Sequence, residues 1–278
     1  MSTVITSAAT RAASSRISSD WVTLINCRSF HYVTAGPEDA PALLFLHGYA
    51  DSWRSAELLI PYLENHFRIF ALDQRGHGET DSDFDRFSIA DFAGDAADFI
   101  ETVIGRPVTL VGHSLGSLIA QRIAAHYQDL VTRLVLIGSA DTSGGNPGLI
   151  DLKHALAEHG DHIPAEFVRA FQESTLARPM SADQLDIFTR ESLRLHPVVW
   201  HKVATALSDD DQVIAGRIRV PTLILWGDQD RVFDLHAQHR LQRLLRQSKL
   251  TVYPEIGHAP NWEIPETVAR DIVGFSLQ

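Results

Sequence analysis

Short runs of consecutive apolar residues, each closed by glycine or polar residues, alternate along this chain with longer stretches whose apolar positions recur at helical spacing. The short runs are Ala42–Leu46, Arg68–Leu72, Pro107–Val111, Arg133–Ile137, Thr222–Leu225 and Leu250–Tyr253. Continuous apolar character over such a length marks strands buried on both faces. Between them Ser55–Leu63, Ile89–Val103, Leu115–Tyr127 and Leu235–Gln247 read as helices, the second with Phe92, Ala96, Phe99 and Ile100 on one stripe. Ahead of all these, Trp21–Ile25 and Ser29–Thr34 read as a hairpin turning through Asn26 and Cys27. The alternation predicts an α/β fold, a mostly parallel eight-stranded sheet flanked by helices. Ligands of such sheets bind beyond the carboxyl ends of the strands.

The alternation stops between Asp141 and Gly216, where four helical stretches follow one another: Ile150–His159, Pro164–Ser174, Ala182–Leu195 and Val199–Asp209. That is too long for a crossover connection. It predicts a helical cap at 141–216, inserted into a core made of 20–140 and 217–278. Residues 1–19 are dominated by Ser, Ala and Thr, carry Arg11 and Arg16, and precede the first acid, Asp20. They lack the apolar stretch of a secretory signal and are expected to be a disordered tail, with a transit segment as the alternative.

Gly112-His113-Ser114-Leu115-Gly116 fits G-x-S-x-G. Three fixed positions match by chance in roughly one chain in ten of this length, so the motif alone says little. Its setting says more, because it follows a strand and opens a helix. A sharp turn there lifts the serine oxygen above the sheet, and glycines two residues to either side avoid collision with neighbouring backbone. Ser114 is therefore the candidate nucleophile, and the alternative is a serine that caps the helix. The Leu115 N–H, at the helix N-terminus, can meet an oxyanion.

A serine hydroxyl needs a base, and imidazole titrates in the right range. Of 14 histidines, only His258 follows the last predicted strand, in a loop with Gly257 just before it. The base in turn needs a carboxylate to hold its tautomer. Asp230, in Trp226-Gly227-Asp228-Gln229-Asp230 after the preceding strand, is the choice. Asp228 is expected to shape that turn, and Asp141, past another core strand, is the rival acid. His47-Gly48-Tyr49 follows Ala42–Leu46 and offers the Tyr49 N–H as a second oxyanion donor.

Other residues carry weaker signals. Asp73 and Arg75 read as a structural tie of their loop, and Asp209–Asp211 as a solvated loop of the cap. Trp53 and Trp262 from the core, and Trp200 with His196 and His201 from the cap, are candidate pocket residues. His113 points away from Ser114 and is read as packing or supporting the substrate site. His236 with His239, and His159 with His162, could share helix faces but lack a carboxylate-rich setting. No metal or organic cofactor is expected.

Composition narrows the partners. A formal charge of −11 argues against nucleic acid and anionic membranes, which recruit basic patches. No apolar run is long enough to span a bilayer. The single cysteine, Cys27, leaves no internal disulfide and points to a reducing, cytoplasmic compartment. A small-molecule substrate is the expected partner, and the oligomeric state is left open.

Together, His47-Gly48-Tyr49, Asp73-Gln74-Arg75-Gly76-His77-Gly78, Gly112–Gly116, Trp226–Asp230 and Gly257-His258 resemble the α/β-hydrolase superfamily. Within it the chain is similar to the capped serine hydrolases, which include esterases, enol-lactonases and C–C bond hydrolases. The resemblance implies an acyl-enzyme mechanism on an ester or lactone. Related dehalogenases and epoxide hydrolases use Asp as nucleophile, where this chain has Ser114. C–C hydrolases often carry Met-Gly-Gly after the serine, where this chain has Leu115-Gly116-Ser117. An acyltransferase or perhydrolase, and a receptor module that keeps the fold without turnover, are the other readings.

Overall fold

The computed structural model describes residues 17–277. Eight strands form one sheet in the order β1-β2-β4-β3-β5-β6-β7-β8. They are β1 (Ser18–Thr23), β2 (Ser29–Ala35), β3 (Ala42–Leu46), β4 (Arg68–Leu72), β5 (Val108–His113), β6 (Val131–Ile137), β7 (Thr222–Gly227) and β8 (Ser248–Tyr253). β1 and β2, and β2 and β4, pair antiparallel, while β4, β3, β5, β6, β7 and β8 run parallel. Residues 1–16 of the expected tail lie outside the described part. Ser18 and Ser19, also expected in the tail, belong instead to β1, where Ser19 Oγ lies 2.8 Å from His31 Nε2.

Strand sides explain the uninterrupted apolar runs. Leu44, Leu46 and Leu110 join one core cluster, whereas their neighbours Leu43, Phe45 and Val111 join the other. Both faces of the central strands are thus covered and neither can be polar. The first cluster takes in α2 (Ile89–Phe99) and α3 (Leu115–His126), the second α1 (Ile60–Leu63) and the C-terminal helix (Pro265–Ser276). The expected helix 55–63 is broken into a 3-10 turn, Trp53–Ala56, and the single turn of α1. Pro61 has no N–H to continue a helix from 57 and is accepted only in a first turn.

The chain leaves β3 for β4 on one side and then returns to β5 on the other. The carboxyl ends of β3 and β5 therefore open on the switch point of the sheet, where such folds bind ligands. Between β6 and β7 lies the inserted cap: α4 (Pro147–His159), α5 (Ala165–Ser174), α6 (Ala182–Leu193) and α7 (Pro197–Asp209). α4 packs on α7 and α5 on α6.

The cap's two connections are stitched together. Gly144 N–H donates to Asp210 O at 2.7 Å and Ser143 Oγ to Leu207 O at 2.7 Å. Asp210, expected in a solvated loop, instead pairs with Arg122 of α3. A charge that looks solvated in the sequence thus anchors the cap to the core. No helix of the described residues is long and apolar enough to cross a membrane.

Candidate active site

Ser114 stands between β5 and α3 with φ 51° and ψ −118°, a conformation that L side chains rarely adopt. The flanking glycines make the turn possible. A Cβ on Gly112 would lie 2.2 Å from Gly116 O, and one on Gly116 would lie 2.1 Å from Leu46 O. The strained elbow exposes Ser114 Oγ, and His258 Nε2 lies 2.8 Å from it.

His258 arrives on the loop after β8. Its Nδ1 is 2.9 Å from Asp230 Oδ2, while Asp230 Oδ1 accepts the N–H groups of Val232 and Phe233 at 2.7 and 3.0 Å. Asp230 and His258 are both buried. Glycine again permits the approach, since a Cβ on Gly227 would lie 2.2 Å from Ile256 O and one on Gly138 2.6 Å from His258 O. The rival Asp141 is turned to Arg240, at 3.1 Å, and does not reach the imidazole. Asp228 shapes its turn as expected, accepting Glu255 N–H at 2.7 Å.

Neither the Tyr49 N–H nor the Leu115 N–H donates a hydrogen bond to a described residue. The Tyr49 loop is held from behind by His47. Its Nε2 accepts Gln74 N–H at 3.1 Å and its Nδ1 donates to Gly48 O at 2.8 Å. Burial holds the His47 pKa well below its ordinary value, so the ring serves as a neutral strut.

Residues 41–265 match the family model of the alpha/beta hydrolase fold. The chain belongs to the α/β-hydrolase family. Among its relatives, epoxide hydrolase 1 of Caenorhabditis elegans is 24% identical over 88% of this chain and 67% of its own. A bifunctional esterase/perhydrolase of Acinetobacter calcoaceticus is 28% identical over 88% of this chain and 94% of its own. An esterase of Exiguobacterium antarcticum superposes with TM-score 0.84 at 21% identity, over 93% of this chain and 99% of its own.

In this α/β-hydrolase, Ser114 and His258 open on a cavity of about 70 Å³. Tyr49, Leu149, Leu152, Phe171, Leu207 and Trp262 supply much of its apolar lining, and Asp51, His113 and Gln172 its polar part. A wider cleft of about 410 Å³ between Thr142–Gly148 and Arg231–Arg240 touches none of Ser114, Asp230 and His258, whereas the smaller cavity is lined by Ser114 and His258. Among the described residues, no three His, Cys, Asp or Glu side chains group as metal ligands.

Two expected pocket residues lie elsewhere. Trp53 packs against the second core cluster, its backbone N–H donating to Asp73 Oδ1 at 2.6 Å and its ring under the Arg54 guanidinium. Trp200 is buried behind the wall, edge-on to Tyr49 and Phe171, and its carbonyl accepts the Tyr49 hydroxyl at 2.6 Å. The cap histidines miss the cavity as well: His196 caps α7, and His201 Nε2 bonds Gly160 O at 2.7 Å. Helical spacing gives Trp200 an inward face, but that face is filled by packing, whereas His196 is exposed at its helix end.

Asp73 and Arg75 tie their loop as expected. Asp73 Oδ2 reaches His31 Nδ1 at 2.7 Å, and Arg75 grips Asp95 through two nitrogens at 2.6 and 2.8 Å. Sequence reasoning missed Glu263, whose carboxylate accepts the N–H groups of Gly257, Ala177 and Arg178 at 2.7, 3.2 and 2.9 Å. His258 N–H donates to Thr175 O at 2.8 Å. The loop carrying the imidazole is thereby fastened to the cap segment after α5. Burial raises the Glu263 pKa, and the three N–H groups offset part of that rise.

Proposed function

We propose that this protein hydrolyses small-molecule carboxylic esters or lactones through an acyl-enzyme. The observation that carries the reading is the chain Ser114 Oγ–His258 Nε2–Asp230, with contacts of 2.8 and 2.9 Å, at the mouth of a largely apolar cavity. Ser114 attacks the carbonyl carbon while His258 takes its proton. Asp230 holds the Nδ1–H tautomer and stabilises the imidazolium. The N–H groups of Tyr49 and Leu115 receive the oxyanion, each such donor contributing about 3 kcal/mol to the transition state. His258 then protonates the leaving alkoxide and activates water for deacylation.

Serine at the elbow favours acyl transfer over the epoxide opening named for the nematode relative. The Acinetobacter relative's name couples esterase with perhydrolase activity, and an acyl-enzyme on Ser114 offers the same carbonyl to water and to peroxide. Product analysis with added peroxide separates them. The test of the main reading is fluorophosphonate labelling alongside a panel of short-chain esters and lactones. The wild type labels at Ser114 and turns over at least one of them, and Ser114→Ala does neither. A wild type that resists labelling, or a variant that keeps its turnover, refutes the assignment.

A further inference from the structure

The cavity at Ser114 has a polar corner that acyl transfer does not use. His113 is 3% exposed, and its Nε2 lies 3.1 Å from the carbonyl oxygen of His258. A carbonyl only accepts, so Nε2 carries a proton, and in the neutral ring Nδ1 presents a lone pair. That Nδ1 has no protein partner, and it faces Asp51 Oδ2 at 3.8 Å. Asp51 is 5% exposed and receives only neutral donors, Ser55 Oγ at 3.3 Å and the Gln172 amide at 3.2 Å. Among the described residues no Lys or Arg pairs with it.

Two buried acceptors thus confront each other, an arrangement that is unfavourable until a donor satisfies them. One donor atom can sit within reach of both, because two contacts of about 2.9 Å easily span that separation. An amino group has a proton for each acceptor, and a hydroxyl shares its single proton between them. Gly48 leaves the corner uncovered, since a Cβ there would lie 2.9 Å from Asp51 Oδ2 and 3.0 Å from His113 Nδ1. Both residues line the same small cavity as Ser114, so the donor must lie within a few atoms of the scissile carbonyl.

Building on the ester-hydrolase reading above, we propose that Asp51 and His113 select substrates that carry a hydroxyl or amino donor close to the reacting carbonyl. The apolar residues Leu149, Leu152 and Leu207 take the carbon chain, and the corner reads the polar group. A site built around unpaired acceptors discriminates against an analogue that lacks the donor, because binding that analogue leaves the acceptors buried and unmet.

The test compares kcat/KM in a pH-stat for ethyl butyrate, ethyl 3-hydroxybutyrate, ethyl 3-aminobutyrate and 2-hydroxyethyl butyrate. The first lacks the donor. The next two place a neutral or a cationic donor on the acid half, and the last places one on the alcohol half. The wild type is expected to favour at least one donor ester over ethyl butyrate by about tenfold or more. Asp51→Asn keeps the shape but turns an amide N–H toward His113 Nδ1, and it brings that ratio close to one. Asp51→Ala, which removes the carboxylate, does the same. If Asp51→Asn fails to fold, the wild-type ratios still decide.

Equal turnover of all four esters, or a preference that survives both substitutions, overturns the inference and leaves ester hydrolysis standing. No turnover of any ester, together with no labelling of Ser114, overturns the hydrolase reading and the inference with it.

Discussion

Asp230→Asn tests the proposed triad most sharply, because the surroundings of that carboxylate dictate how the amide must sit. Oδ1 of Asp230 accepts two backbone N–H groups, from Val232 at 2.7 Å and Phe233 at 3.0 Å. The amide oxygen of an asparagine has to take that place. Flipping it would aim an NH2 group at two buried donors and leave both unmet, at about 1–3 kcal/mol each. The NH2 group then faces His258 Nδ1, where the carboxylate oxygen stood at 2.9 Å. It donates, so Nδ1 must carry the lone pair and the ring proton moves to Nε2. In that tautomer Nε2 cannot take the proton of Ser114 Oγ, 2.8 Å away.

The expected loss in kcat is about 10⁴-fold, or about 5.5 kcal/mol on the barrier, with the fold intact. The assay is hydrolysis of 4-nitrophenyl acetate, with circular dichroism and thermal unfolding as checks on folding. Asp141→Asn is the control. Its carboxylate is engaged by Arg240 at 3.1 Å, so that variant should keep kcat/KM close to wild type. The reasoning fails if Asp230→Asn retains activity within a factor of about ten, or if Asp141→Asn is the more damaging change.

Two further outcomes follow from the same contacts. Tyr49→Phe removes the 2.6 Å bond to the Trp200 carbonyl and leaves that acceptor buried, so it should cost about 1–3 kcal/mol. In a domain of this size that lowers Tm by about 2–4 °C per kcal/mol, and an unchanged Tm would count against the tie between core loop and cap. Arg75→Met strips Asp95 of its two-point partner and should destabilise by about 3–5 kcal/mol at neutral pH. Burial already raises the Asp95 pKa and Arg75 opposes the rise, so the variant's folded pKa moves higher still. A raised folded pKa means the native state binds the proton first, and stability falls as pH rises from the unfolded value through the folded one. Urea unfolding should therefore show a smaller deficit near pH 5 than near pH 8, and equal deficits would contradict the account.

Much of the reactive centre is legible in the amino-acid sequence, and the reason is local. The elbow at Ser114 depends on Gly112 and Gly116 within two residues, and its strand and helix declare themselves in the flanking pattern. His258 stands out because it alone among the histidines follows the last strand. The acid is harder to read. Asp141 and Asp230 both follow strand ends, and although the place of Asp230 after the strand before His258's favours it, Asp141 stays a rival on the sequence alone. The partner decides: Arg240, from a helix far along the chain, claims Asp141, while Val232 and Phe233 aim Asp230 at the imidazole.

The pocket residues are the least legible. Trp53 and Trp200 look as suited to a cavity wall as Trp262, yet only Trp262 lines the cavity. Which side of a tryptophan meets empty space depends on how helices from separate segments settle against one another, and hydrophobic spacing is blind to that. The confrontation of Asp51, His113 and Gln172 is of the same kind, assembled from the β3 loop, the elbow and the cap. The strands, the elbow and the order of the reactive residues are thus determined by the sequence itself, because backbone sterics and burial periodicity act over a few neighbours. The exclusion of Asp141, the cavity lining and the polar corner are decided only by the tertiary structure, because they depend on distances between segments that the chain order does not specify.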